Sequence, residues 1–97
     1  LPSKKMAWLW YEWTQAQFSL GYCSQYLRAD EAENMRTIPN EEEMMRTEIG
    51  RQFLTGSRKA FQDGMAFRRE VRPSRALCVA ELKGRVAALD AAARSNP

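Results

Sequence analysis

The chain has 97 residues and weighs 11.2 kDa, which is the size of one domain, and its 44% hydrophobic and 28% charged content is ordinary for a globular protein. That balance excludes a disordered or collagen-like chain, and two cysteines exclude a cysteine-dense toxin scaffold. The longest apolar run, Met6 to Tyr11, falls far short of the roughly 18–20 residues that cross a bilayer, so no transmembrane segment is expected.

The chain opens Leu1-Pro2-Ser3, with no initiator methionine and no basic-then-apolar leader, and is expected to be a trimmed or processed product. A first helix is predicted over about residues 4–28, with Ser3 as its N-cap. Met6, Leu9, Trp13, Ala16, Leu20, Cys23 and Leu27 recur at alternating spacings of three and four, the pattern of a bundle core seam. A second stripe of Tyr11, Phe18, Tyr22 and Tyr26 flanks it. Trp8 and Trp10 fall on opposite flanks of that helix, so at least one should stay exposed or meet a partner.

Asp30, Glu31 and Glu33 mark an acidic piece that suits a short helical turn, and Pro39 blocks a continuous helix through Ile38. Asn40 followed by Glu41-Glu42-Glu43 reads as an N-cap and an acidic first turn. The second helix is predicted over residues 41–70, with Met45, Ile49, Phe53, Ala60, Phe67 and Val71 on its core face and Leu54, Phe61 and Met65 widening it. Gly56, Ala60 and Gly64, spaced by four, would form a groove for close helix approach. Two readings of Asp63-Gly64 stand side by side: a continuous helix with a kink, or a C-terminal stop. Arg72-Pro73-Ser74 is the second break, and a third helix over residues 74–93 would present Cys78, Leu82, Val86 and Leu89 to the core.

The expected fold is therefore all-α, a small antiparallel three- to four-helix bundle forming a single domain. Cys23 and Cys78 sit at core-facing positions and are expected to form a structural disulfide; two buried thiols in a cytosolic core are the competing reading. An up-down-up order of three long helices sets the two cysteines at opposite ends. A shorter third helix crossing at an angle, or a break near Gly64, would bring them together.

No histidine is present, which removes the usual general base and the commonest metal ligand. Two distant cysteines make no zinc site, no glycine-rich phosphate loop occurs, and Glu41 to Glu43 splay around a helix instead of converging. The expectation is a non-enzymatic protein with no catalytic residue, no metal and no small-molecule cofactor.

Charge is uneven: residues 1–48 carry five basic and eight acidic side chains, residues 49–97 ten and four. Arg68, Arg69, Arg72 and Arg75 cluster at the second break. With Trp8, Trp10 and Tyr11 they are the candidate partner-binding residues, the aromatics because exposed tryptophan and tyrosine are typical binding hot spots. The leading expectation is a secreted or periplasmic helical protein that binds a protein partner or forms a homodimer, of the inhibitor, immunity or secretion-accessory kind. A cysteine on the first helix and the Phe53-x-x-Gly56-x-Arg58 stretch are similar to features of small bacterial exported proteins. Size, cysteine count and twelve carboxylates are also similar to those of small periplasmic acid-stress chaperones, which is one alternative. The other is a cytoplasmic regulator or nucleic-acid binder using Arg68 to Arg75; the short patch and net charge of only +3 argue against nucleic acid.

Overall fold

In the computed structural model, which describes residues 3–95, helix α1 (Lys4–Tyr22) starts where Ser3 Oγ accepts the Met6 N–H at 3.1 Å. It stops at Cys23, short of residue 28, because Ser24 Oγ donates back to the Gly21 carbonyl and the chain tightens into a 3-10 turn over Ser24–Tyr26. The acidic piece is a full helix, α2 (Ala29–Arg36), whose first turn is closed by the Glu31 carboxylate accepting the Arg28 N–H at 3.2 Å.

The predicted second helix divides at its start. Asn40 sits in the left-handed region (φ 64°) and does not cap with its side chain; α3 (Glu41–Met44) is a single turn. Thr47 Oγ1 then accepts the Gly50 N–H at 3.0 Å and starts α4 (Glu48–Glu70) afresh, a side-chain cap replacing the bond that would have continued α3. Helix α4 runs unbroken through Gly64. Ser74 caps α5 (Arg75–Arg94) through the Leu77 N–H at 3.1 Å. The described residues hold five α-helices and no strand.

Direction is where the structure departs most from the up-down-up order. Trp10 stacks on Phe53, Trp13 Nε1 donates to Ser57 Oγ at 2.9 Å, and Arg68 Nη1 donates to Ser24 Oγ at 2.8 Å. Both hydrogen bonds join residues 44 positions apart, so α1 and α4 run parallel. The chain returns through α2 and α3: Gln17 Nε2 donates to the Met35 carbonyl, the Arg36 guanidinium lies 3.8 Å over the Phe61 ring, and Glu41 pairs with Arg58 at 2.6 Å.

Helix α5 runs antiparallel to α1, with Tyr26 Oη donating to the Pro73 carbonyl, Cys23 bonded to Cys78, and Ser19 Oγ donating to Glu81. The cysteine Cα atoms are 5.5 Å apart and both residues are buried. Their meeting needs no break at Gly64, because α1 and α4 end together and the short 71–74 link starts α5 beside the end of α1. Helices α4 and α5 hardly touch; α1 is the hub against which α2, α4 and α5 pack.

The rotation of α4 also differs. Its buried residues are Gly50, Leu54, Ser57, Ala60, Phe61 and Gly64; Ala60, Leu54 and Phe61 lie inward as expected, whereas Met45, Ile49, Phe67 and Val71 are exposed and Phe53 is half-buried. The cause is local: a Cβ on Gly64 would strike the Phe18 carbonyl, and Ser57 must meet the Trp13 N–H. Gly56 takes no part in that approach, since nothing lies within 4 Å of where its Cβ would stand. On α5, Cys78 is buried as the core pattern requires, whereas Val86 lies 53% exposed.

Candidate functional site

Turning α4 this way leaves two apolar stripes without a cover. Tyr11, Phe18 and Tyr22 share one flank of α1 by helical spacing, and Ile49, Phe53 and Phe67 share the adjoining flank of α4. Ring contacts prove the adjacency: Phe67 lies 5.8 Å from Phe18 and 5.4 Å from Tyr22, centroid to centroid. At the other end Trp10 and Phe53 stack at 4.8 Å, and together with Ala7, Tyr11, Thr14 and Ile49 they line a shallow open groove. The result is a seam along the α1–α4 pair, on the side away from α2 and α3, with no charged side chain along its centre. Tyr11 is 60% exposed, Ile49 39% and Phe67 41%.

The sequence-predicted residues separate into two groups at opposite ends. Trp10 and Tyr11 belong to the seam; Trp8 is exposed at its outer edge and does not line the groove. The arginines lie where α4 ends, about 22 Å from Phe53 at 1.5 Å per helical residue. Two of them are engaged within the chain: Arg68 with Ser24, and Arg75 over the Tyr26 ring at 4.9 Å. Because α1 and α4 are parallel, their carbonyl ends coincide here, and α1 has no basic residue in its own last turn. Arg68 and Arg69 are the cations of α4's own last turn, and Arg68, bonded to Ser24, also stands beside the end of α1. Arg69 and Arg72 are exposed.

Ile49, Phe53 and Phe67 escaped the sequence reading of the site because they were assigned to the core. A signal was available: Gly50, Leu54, Ser57, Phe61 and Gly64 alternate spacings of four and three without interruption, a closer match to a helix-pair seam than the aromatic face.

A second concavity of about 200 Å³ lies between α1, α2 and α4, bounded by buried Gln17, Leu54 and Ser57 and rimmed by the Glu41–Arg58 pair. Among the described residues no three acidic or cysteine side chains converge to hold a metal ion, and no helix is long and apolar enough to cross a membrane. No protein-family model, curated protein or solved structure matches the chain.

Proposed function

We propose that this protein acts without catalysis, by binding another polypeptide through the α1–α4 seam, in an oxidising compartment such as the periplasm or the extracellular space. The observation that carries the reading is the uncharged aromatic strip left open along both helices. Contiguous exposed apolar surface of this kind marks binding sites, and depletion of charge with enrichment of aromatics is the signature of an interface centre. The compartment rests on the buried Cys23–Cys78 bond, since such bonds persist where thiols are not kept reduced. An inhibitor, an immunity-type protein or a secretion accessory factor would each use a surface of this size and rigidity.

A photo-crosslinking amino acid placed at Tyr11, in the cells that produce the protein, tests the reading. A polypeptide adduct at Tyr11, absent when the same group is placed at exposed Gln62, is the expected result. Equal or absent adducts at the two positions overturn it.

A further inference from the structure

We propose that the cavity between α1, α2 and α4 binds one free, zwitterionic amino acid with an apolar side chain. The cavity lies on the α2 side of α1, shares no residue with the seam and does not depend on what the seam binds.

Its size sets the first limit. About 200 Å³ is below the roughly 300–1,000 Å³ that takes a drug-sized ligand, which leaves room for one small metabolite. The inner wall is mixed. Leu54 is buried and Ile38 half-buried, beside the polar side chains of Gln17 and Ser57, which are 3% and 4% exposed. Polar groups so deeply placed are normally fully paired. Among the described residues these two are not. Ser57 Oγ accepts the Trp13 N–H, and its own hydrogen has no acceptor. Gln17 Nε2 donates to the Met35 carbonyl, while its Oε1 receives no donor and is not sealed from open space. A donor and an acceptor held beside aliphatic carbon are what orients a small ligand.

The rim supplies charge. Arg58 and Glu41 neutralise each other at 2.6 Å. Glu33 and Arg36 also line the cavity, and among the described residues neither takes part in an ion pair. Their spacing of three on α2 sets them on one face, about 4.5 Å apart along the axis. The Arg36 guanidinium lies 3.8 Å over the ring of buried Phe61, which holds it flat and leaves its N–H edge free to fork onto a carboxylate. One unpaired cation and one unpaired carboxylate, a helical turn apart over a partly apolar wall, match the carboxylate, ammonium and side chain of a single amino acid. A ligand with only one of the two charges leaves the other rim group opposing it. The end of a peptide is such a ligand.

Equilibrium dialysis of the oxidised full chain against labelled L-leucine, from about 1 μM to about 10 mM, reads the binding directly. Saturation at one leucine per chain with a Kd below about 1 mM is the expected result. Isocaproate, which lacks the ammonium, and isoamylamine, which lacks the carboxylate, should each compete at least about tenfold more weakly. The same holds for N-acetylleucine and leucinamide, which stand in for the two ends of a peptide. Glu33→Gln and Arg36→Gln lie at exposed positions and should keep the circular dichroism of the parent while each weakens leucine binding about tenfold or more. Leucine that fails to saturate by about 10 mM overturns the inference. So does a single-charge analogue that competes as well as leucine, or undiminished affinity in either variant.

Discussion

Gly21 of α1 and Gly64 of α4 lie reciprocally against each other's helices: a Cβ on Gly21 would strike the Phe61 carbonyl, and one on Gly64 the Phe18 carbonyl. Glycine inside a helix normally costs about 1 kcal/mol relative to alanine, so replacing it by alanine is usually favourable. Here the sign reverses, because the obstacle is backbone and cannot swing aside. Gly21→Ala and Gly64→Ala are each expected to destabilise the fold by about 3 kcal/mol in urea titrations. Gly56→Ala, measured on dilute protein, should instead stabilise by up to about 1 kcal/mol. A neutral Gly64→Ala would show that α1 and α4 do not touch where the structure puts them.

Ser57 is buried and its hydroxyl oxygen is the acceptor for the Trp13 indole N–H at 2.9 Å. Ser57→Ala leaves that donor unpaired in a partly buried place, at a cost of about 1–3 kcal/mol. Near-ultraviolet circular dichroism and denaturant midpoints check this together. An unchanged midpoint would remove the hydrogen bond from the account of α4's rotation.

The Cys23–Cys78 bond closes a separation of 55 residues, which the chain-entropy treatment values at about 4 kcal/mol. Helix α5 packs almost entirely on α1, so reduction should loosen it first. Hydrogen exchange after reduction is expected to accelerate across Arg75–Arg94 before it does in the α1–α4 pair. Uniform acceleration through all three long helices would contradict a separable α5.

Arg68 and Arg72 test the structural share of the basic cluster. Arg68→Ala removes the hydrogen bond to Ser24 and a cation from two coincident helix ends, and is expected to cost about 1–2 kcal/mol, less in high salt. Arg72→Ala, at an exposed position, should stay within about 0.5 kcal/mol of the parent. Equal effects would point away from the helix-end role of Arg68.

The all-helical class and the Cys23–Cys78 pairing were legible from periodicity and from the core-facing positions of both cysteines. Ser3 and Ser74 were legible as helix starts because a hydroxyl before an uninterrupted helical pattern has one obvious use. The direction of α4 was not. Pro39 announces a break but says nothing of the two short helices that carry the chain back along α1. The rotation of α4 was legible only in part: Leu54, Ala60, Phe61 and the close approach at Gly64 lie where the pattern puts them, but hydropathy ranks Phe53 and Phe67 above Gly50 and misses contacts made by backbone. At the seam, Trp10 and Tyr11 stood out as surplus aromatics. Their partners on α4 did not, because an apolar helix face defaults to the core unless a better inward line is noticed beside it.

The hub position of α1 has a consequence for how the chain comes together. Helix α1 precedes both of its main neighbours in the chain, and its bonds to Ser57 and Glu81 span 44 and 62 positions. Until α4 and α5 emerge, Trp10, Trp13 and Leu20 have little to pack against, and Cys23 has no Cys78 to join. A high share of such distant pairings slows folding and lengthens the interval in which apolar surface is naked. Helix α1 therefore lacks its main partners until α5 has been made, and a truncation after α4 would leave the α5-facing side of this central helix open to solvent.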